Sequence, residues 1–322
     1  MINVSQIENA ERAIAPYILR TPTIESPGLT DLLGVPTTIK IESLQRTGSF
    51  KARGATAKLL ALSDQERAAG VVAMSGDNHG IAVATMAQVL GIKATVVMPR
   101  TAAADSIEKS RRAGARVELT DDMPTAFALV DELRSGGLTL LHPFDDPTVI
   151  AGQGTAGLEL AQDAGELTDV LVSIGGGGLI AGVAVALHAL RPQVRIWGVE
   201  LDGARSMTDA LAAGRPVPTA LDSVVPTLSA PQVSELTYEH AAALLEDIVL
   251  VSDAQAVQGS LLTADHAGSW VEPADGSLIP AARTVIDRIG PEVRLGLLLA
   301  GGNAAVADVY RWARDFGVID ER

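Results

Sequence analysis

The stretch LTDVLVSIGGGGLIAGVAVALHAL, residues 167–190, decides the fold class of this chain. Its apolar run from Asp169 to Ile174 predicts a buried strand, four glycines follow at 175–178, and a helical pattern then runs to about Ala189. This order of strand, glycine turn and helix is typical of α/β sheets. The glycine N–H groups at a helix N-terminus would form a phosphate site. The same glycines could equally make a tight turn for packing, and no GK[ST] ending follows that would indicate a P-loop.

The alternation of short apolar runs and helical patterns recurs along most of the chain. It predicts parallel sheets with helical crossovers, divided into two α/β units. A large unit is predicted at residues 1–45 and 147–322, and a small unit at residues 46–146. The predicted strands are Val71–Met74, Ala94–Met98, Arg116–Thr120, Leu138–Leu141, Asp169–Ile174, Val194–Val199 and Arg294–Leu299.

Composition excludes several classes of protein. The net charge of −14 disfavours binding to nucleic acid or to an anionic membrane surface. The chain has no cysteine, which excludes disulfides, thiolate metal sites and a catalytic cysteine. The first residues lack the apolar segment of a signal peptide, and no run approaches the roughly 18 apolar residues that span a bilayer. We therefore expect a cytoplasmic protein.

A lysine stands in an unusual local setting within TGSFKARGA, residues 47–55. Lys51 is predicted one turn into a helix that Ser49 could cap. An apolar neighbour and the positive end of a helix would lower the pKa of its ammonium group and favour the free amine that forms a Schiff base. Most lysines are simply solvated, so the residue type alone does not indicate this role.

Two further loops follow predicted strands. SGDNHG, residues 75–80, offers backbone N–H groups and the Asn78 amide to a carboxylate or a phenolic oxygen. His79 in this loop is a candidate base, or equally a capping or core histidine. The fourth segment, AGGN at residues 300–303, is another glycine turn between a strand and a helix. Ligands bind in such sheets at the carboxyl ends of the strands, so the loops should converge.

The order and spacing of these segments resemble the fold type II family of pyridoxal-phosphate (PLP) enzymes. The resemblance is strongest to the serine/threonine dehydratase and serine racemase branch. It extends over nearly the whole chain and implies two doubly wound domains of the tryptophan synthase beta type, with the cofactor in the cleft between them. The segments that carry it are RTP (20–22), KIESLQRTGSFKARGA (40–55), SGDNHG (75–80), HPFDDP with AGQGTAGLE (142–159), SIGGGGLIAG (173–182) and AGGN (300–303).

The resemblance implies roles for the matched residues. Lys51 would hold the cofactor as a Schiff base and move the substrate α-proton. Phe50 would pack beside the cofactor, Asn78 would hydrogen-bond its 3′ oxygen, and Ala300 would lie near its ring nitrogen. Its phosphate would be held by Gly175, Gly176, Gly177, Gly178 and Leu179. The substrate carboxylate would be bound by the loop formed by Ser75, Gly76, Asp77, Asn78 and His79.

Three residues of the cofactor and substrate segments depart from the family pattern. Ala300 stands where a Ser, Thr or Cys usually faces the pyridine nitrogen, and its methyl group neither donates nor accepts a hydrogen bond. Asp77 replaces a glycine, so it would oppose a substrate carboxylate, favour a cationic substrate, or face solvent. Gly76 replaces the serine racemase hydroxyl that protonates the opposite face, which disfavours racemisation.

The family's divalent cation site is matched only in part. Glu200 and the carbonyl of Ala204 match it, but Ser206 replaces the expected Asp. Oxygen ligands suit Mg²⁺ or Ca²⁺. The alternative is that Glu200 simply ends a strand.

The leading hypothesis is a PLP-dependent ammonia-lyase that acts on a small β-hydroxy amino acid such as threonine, serine or 3-hydroxyaspartate. One alternative is a β-replacement enzyme, in which an external nucleophile adds after β-elimination. Another is a PLP-binding homologue that has lost or altered turnover, which Ala300 and Asp77 motivate. The resemblance also implies a homodimer. The sequence does not specify which amino acid is the substrate.

Overall fold

The computed structural model describes residues 1–320, which form alternating helices and strands. The strands are β1 Thr23–Glu25, β2 Thr37–Ile41, β3 Val71–Met74, β4 Ala94–Pro99, β5 Arg116–Thr120, β6 Thr139–Leu140, β7 Asp169–Ser173, β8 Arg195–Leu201, β9 Asp247–Val251 and β10 Leu295–Leu299. The α-helices are α1 Val4–Ile14, α2 Pro27–Leu33, α3 Lys51–Leu60, α4 Asp64–Ala69, α5 Asn78–Val89, α6 Ala104–Arg112, α7 Met123–Ser135, α8 Pro147–Asp163, α9 Gly178–Leu190, α10 Ser206–Ala213, α11 Glu235–Leu244, α12 Asp253–Ala267, α13 Pro273–Gly276, α14 Leu278–Ile289 and α15 Val306–Asp315. Short 3₁₀ helices lie at Glu42–Leu44 and Pro226–Leu228.

The larger sheet has six strands in the order β1-β2-β10-β7-β8-β9. Its strands are parallel except for β1, which pairs antiparallel with β2. All five residues of β7 and of β10 are buried, as expected for strands whose two faces are both covered by helices. One face packs against α12, α13 and α14, and the other packs against α8 and α9.

The smaller sheet has four parallel strands in the order β5-β4-β3-β6. Its strands come from one continuous segment of the chain, whereas the larger sheet combines β1 and β2 with strands that follow residue 168. The protein therefore contains two α/β units, as the sequence pattern predicts. The domain limits at residues 46 and 147 stay a prediction.

One helix begins well before its predicted start. The apolar pattern predicts a helix at residues 154–163, but α8 begins at Pro147. Asp146 caps it by accepting hydrogen bonds from the backbone N–H groups of Thr148 and Val149, at 2.8 and 3.1 Å. An acidic cap followed by proline at the first helical position is a strong start signal. Within residues 1–320, none of the helices has the length and apolar character needed to cross a bilayer.

A buried cluster of four charges, here called the Arg53 network, joins α3 to α8 and β2. Arg53 pairs with Glu42 at 2.7 Å and with Glu159 at 2.7 Å, and Lys40 also pairs with Glu159. All four side chains are at most 4% exposed. Burial alone would raise the pKa of Glu42, but Arg53 holds it below the ordinary value. The network fixes the helix that begins at Lys51 against the larger unit.

Candidate active site

Strand order brings the predicted loops of the two sheets together. In the smaller sheet β4 and β5 lie on one side of β3, and β6 lies on the other. In the larger sheet β8 and β9 lie on one side of β7, and β10 lies on the other. A crevice forms at the carboxyl end of a sheet where the strand order reverses in this way. The loops after β3, β7 and β10 are therefore the ones that the topology selects for a ligand site.

A cavity of about 220 Å³ lies between these loops and the start of α3. Every residue predicted to bind cofactor or substrate lines it: Phe50, Lys51, Ser75, Gly76, Asp77, Asn78, His79, Gly175, Gly176, Gly177, Gly178, Leu179 and Ala300. The candidate metal residues do not line it. Further residues line the cavity that were not predicted from the sequence, and Ser173, Thr227, Ser229 and Glu272 among them carry polar side chains.

Lys51 is the first residue of α3 rather than one turn into a helix, which corrects the sequence prediction. Ser49 does not cap the helix, because Phe50 holds the cap position and no side chain bonds to the helix start. The Lys51 ammonium nitrogen, Nζ, lies 3.3 Å from the carbonyl oxygen of Pro143 and 5.0 Å from the centre of the Phe50 ring. Burial lowers the pKa of Lys51, and Asp77 and Glu272 only partly offset this effect. The site therefore favours the uncharged amine.

The glycine turn after β7 leaves no room for side chains. A Cβ atom on Gly176 would lie 2.1 Å from the Phe144 ring, and Gly177 adopts a positive φ of 87°. The backbone N–H groups of Gly175, Gly176 and Gly177 have no acceptor within residues 1–320. Free N–H groups beside the N-terminus of α9 form a cradle for an anion. This turn fits a phosphate group, and the residues present therefore fit PLP.

Asp77 turns its carboxylate into its own loop. It caps α5 by accepting a hydrogen bond from the N–H of His79 at 3.4 Å, and it accepts another from the Ser75 hydroxyl at 3.0 Å. The side chain is half-buried and lines the cavity. Its negative charge acts on Lys51. The effect of Asp77 on the choice of substrate stays a prediction.

Asn78 connects the smaller unit to the larger one. Its amide donates to Glu272 at 2.8 Å, and its carbonyl oxygen accepts from Asn303 at 2.6 Å. Asn303 also donates to the backbone oxygen of Thr47 at 2.8 Å. The loop after β3 is thus hydrogen-bonded to two segments of the larger unit.

His79 is a buried, neutral histidine. Its Nε2 lies 2.9 Å from the Leu141 carbonyl oxygen, which can only accept, so Nε2 carries the hydrogen. Its Nδ1 has no partner within the described chain. Burial and the nearby Lys51 lower the pKa of His79 to about 3. Such a weakly basic nitrogen is poorly matched to a general base near neutral pH.

Two buried acids, Glu272 and Asp275, lie beside the cavity and are here called the acid pair. Burial raises the pKa of both carboxyl groups. The charge of Asp275 raises the pKa of Glu272 further. At Asp275, hydrogen bonds from the backbone offset only part of the effect of burial. Within residues 1–320 neither acid forms an ion pair. The sequence signal that could have revealed them is two acids within the otherwise apolar segment WVEPADGSLIPAA, residues 270–282.

Glu200 binds a helix start in this structure. Its carboxylate accepts hydrogen bonds from the N–H groups of Met207 and Thr208 and from the Thr208 hydroxyl, at 2.7–2.9 Å. Burial raises the pKa of Glu200 to about 7. Ser206 is the first residue of that helix, and Ala204 precedes it. No group of three or more His, Cys, Asp or Glu side chains suited to a metal was found in residues 1–320. These contacts add no support to the predicted cation.

A second, more apolar cavity of about 390 Å³ adjoins the first and shares the loop after β3. Met74, Ala102, Met123, Val225 and Trp312 contribute to its lining. Asp77, Asn78 and Glu272 line both cavities. The active-site cavity therefore continues into an apolar space.

Comparison with known proteins shows similarity along nearly the whole chain. Residues 14–301 match the family model described as pyridoxal-phosphate dependent enzyme. The chain is 36% identical over 320 residues to L-threonine ammonia-lyase of Thermotoga maritima, covering 97% of this chain and 78% of that protein. It is 35% identical to phenylserine dehydratase of Ralstonia pickettii, covering 98% of this chain and 97% of that protein. Among solved structures, maize serine racemase has a TM-score of 0.90 at 30% identity, with 97% of both chains covered.

Proposed function

This chain belongs to the pyridoxal-phosphate dependent enzyme family, fold type II, and we propose that it is an ammonia-lyase acting on a small β-hydroxy amino acid. Threonine and serine are the expected substrates, and a 2-oxo acid and ammonia are the products. One observation carries this proposal. The amine of Lys51, the free N–H groups of the glycine turn and the loop after β3 all face a single cavity. The similarity to an L-threonine ammonia-lyase and to a phenylserine dehydratase supports the reaction class.

The proposed cofactor contacts follow from the site. Lys51 would hold PLP as a Schiff base, Gly175–Leu179 would bind its phosphate, and Phe50 would pack beside its ring. The Asn78 amide would hydrogen-bond the 3′ oxygen. When bound, PLP supplies the electron sink that stabilises negative charge at the substrate α-carbon.

Lys51 is the group that moves the α-proton in this proposal. Burial lowers its pKa, which favours the form of the amine that can accept the proton from the substrate. The loop formed by residues 75–79 binds the substrate carboxylate, and the N-terminus of α5 within it favours an anion. Loss of the α-proton and departure of the β-hydroxyl as water give an enamine, which hydrolyses to the 2-oxo acid and ammonia.

Elimination is favoured over racemisation because the loop offers no hydroxyl at Gly76. A Cβ atom at this position would contact Ala102 at 3.0 Å, so the loop packs closely there. The nearby Ser75 hydroxyl donates to Asp77. His79 stays neutral and weakly basic. Lys51 is therefore the acid–base group that this proposal uses.

The test is the release of 2-oxo acid by protein purified with PLP. We expect visible absorption from bound cofactor and product from L-threonine or L-serine. Lys51→Ala should abolish product formation, with a loss of at least about 10³-fold, because no other amine lines the cavity within the described chain. Lys93→Ala changes an exposed lysine outside the cavity and should keep wild-type activity.

The possible outcomes separate the competing functions. No 2-oxo acid from any β-hydroxy amino acid, despite bound PLP, would favour a cofactor-binding protein without this turnover. Product that forms only when an amine or a thiol is added would indicate β-replacement. Absence of bound PLP would contradict the proposal as a whole.

The second cavity bears on the size of the substrate. Its apolar lining would accept a bulky β-substituent, so L-phenylserine and 3-hydroxyaspartate should be tested beside threonine and serine. Asp77 lines both cavities, and its carboxylate would oppose an acidic side chain on the substrate. We therefore expect 3-hydroxyaspartate to be the poorest of the four substrates.

Three further expectations belong to this proposal. We propose that the protein is a homodimer, that it works in the cytoplasm, and that residues 46–146 form its small domain. Sedimentation of the purified protein tests the first. Limited proteolysis followed by mass spectrometry tests the limits of the domain.

A further inference from the structure

A carboxylate that the proposed mechanism leaves without a role lies directly behind the wall of the active-site cavity. Asp275 lies in α13 and is fully buried. One carboxylate oxygen accepts a hydrogen bond from the Ser173 hydroxyl at 3.3 Å, and the other accepts from the N–H of Gly301 at 2.7 Å. Ser173 is the last residue of β7 and lines the cavity, with Asp275 behind it.

The chemistry of PLP indicates what such a group could bind. The ring carries an aldehyde, a 3′ oxygen, a phosphate arm and a ring nitrogen that lies across the ring from the aldehyde carbon. Lys51, Asn78 and the glycine turn provide partners for the first three. The partner of the ring nitrogen tunes the electronic properties of the cofactor, and in many PLP enzymes it is a charged side chain. Ala300 lines the floor with a methyl group and cannot fill this role.

We propose, on the basis of the proposed function, that Ser173 is the hydrogen-bond partner of the cofactor's ring nitrogen and that Asp275 is the positioning residue that orients its hydroxyl. A hydroxyl has one hydrogen and two lone pairs. Because Asp275 accepts the hydrogen, the oxygen of Ser173 presents lone pairs to the cavity. It can then accept a hydrogen bond from a protonated ring nitrogen. The pair thus stabilises the protonated ring, which is the stronger electron sink.

Three other polar side chains of the cavity are weaker candidates. The Ser229 hydroxyl donates to the backbone oxygen of Val225 at 2.9 Å, and no carboxylate orients it. Both carboxylate oxygens of Glu272 lie close to the Asn78 amide, at 2.8 and 3.1 Å, so this acid is already bound to the loop after β3. The Thr227 hydroxyl is buried without a partner in the described chain, and no carboxylate orients it. Ser173 combines a place on the cavity wall with a fixed orientation.

The experiment is nitrogen NMR of protein loaded with PLP that is ¹⁵N-labelled in the ring. At pH 8 the wild-type resonance should lie at the position of a protonated ring. Ser173→Ala should move it towards the unprotonated position, and Asp275→Asn should move it in the same direction by less. Ser173→Thr keeps the hydroxyl and should keep the wild-type resonance. Thr227→Val, which removes another hydroxyl from the same cavity, should also leave the resonance in place.

An unchanged resonance in Ser173→Ala would overturn the inference, and so would a shift caused by Glu272→Gln but not by Ser173→Ala. If Ser173→Ala cannot be loaded with PLP, the inference is tested by comparing Asp275→Asn with the wild type. An unchanged nitrogen resonance in Asp275→Asn would also contradict the inference. Visible absorption confirms loading in every variant. A protein that binds PLP but releases no 2-oxo acid would still give the resonance, so the failure of the proposed function is recognised separately.

Discussion

The Arg53 network and the acid pair are both buried, but only the network contains compensating charge. Lys40 and Arg53 face two carboxylates, and their ion pairs lie within hydrogen-bond distance. Glu272 and Asp275 have backbone and amide donors but no cation in ion-pair contact within residues 1–320. Arg53 keeps Glu42 ionised, whereas burial raises the pKa of both members of the acid pair.

The presence or absence of compensating charge distinguishes the Arg53 network, which stabilises the fold, from the acid pair. Burying a charge is costly unless a partner of opposite sign compensates it. A fold that only needed rigidity would have no use for two acids without ion-pair partners beside a lysine whose pKa burial lowers. Groups with strongly shifted pKa values collect at sites where a ligand completes the charge balance. The acid pair and Lys51 fit this description, and the Arg53 network holds the helix that begins at Lys51 against the larger unit.

The largest expected effect comes from unbalancing the network. Arg53→Met leaves Glu42 and Glu159 buried without their principal cation, so the free energy of unfolding should fall by about 3–5 kcal/mol. Urea unfolding followed by circular dichroism measures this change. The matched control is Arg288→Met, which removes the exposed ion pair with Asp247 and should cost less than about 1 kcal/mol. Equal losses in the two variants would contradict the contrast between buried and exposed charge.

A smaller effect is expected from neutralising the acid pair. The pKa of Glu272 is raised in the folded protein, so its contribution to stability is present at low pH and is lost as the pH rises from about 5 towards 9. Glu272→Gln keeps an acceptor for Asn78 and removes this titration. The variant should exceed the wild-type apoprotein by on the order of 1–3 kcal/mol at pH 9. Urea titrations at pH 5 and pH 9 measure the difference, and equal pH slopes for the two proteins would refute it.

The smallest effect concerns Lys51 in the apoprotein. Its pKa is lowered in the folded state, so folding is disfavoured as the pH falls below the ordinary lysine value near 10.4. Lys51→Met should therefore raise the free energy of unfolding by about 1 kcal/mol at pH 7, with no gain at pH 10.5. Lys93→Met, at an exposed position, serves as the control. A destabilised Lys51→Met protein would show that the lysine is not under electrostatic strain.

Local patterns in the sequence were sufficient for much of the fold. The strands Val71–Met74 and Arg116–Thr120 have their predicted limits. The first is a short apolar run and the second alternates charged with apolar residues, and both signals are contained within the strand itself. The start of α8 is predictable only if the cap formed by Asp146 and Pro147 is considered together with the apolar pattern. Strand β9 and the helices from α10 to α14 were not predicted, although the capping box of Ser252 and Gln255 at the start of α12 is a sequence signal.

The lining of the cavity was predictable from the sequence where its residues belong to one continuous motif. Lys51, the glycine turn and the loop after β3 are each continuous in sequence and line one cavity as expected, while their roles stay predictions. The acid pair was not found, because its meaning depends on contacts such as that of Glu272 with Asn78, which are 194 residues apart. Ser173 was missed for the same reason, since its partner Asp275 lies 102 residues away. No local spacing encodes such contacts.

The position of β10 in the larger sheet has a consequence for synthesis of the chain. β10 lies between β2 and β7, and its register pairs Leu295 with Thr37 and with Asp169. Until the ribosome has passed residue 299, β1 and β2 have no strand through which to join the sheet. The four strands of the smaller sheet are all synthesised by residue 140, so that sheet can form first. Lys51 would then be in place before the glycine turn that follows β7. The active site would be complete only when β10, which joins β2 to β7, has been synthesised.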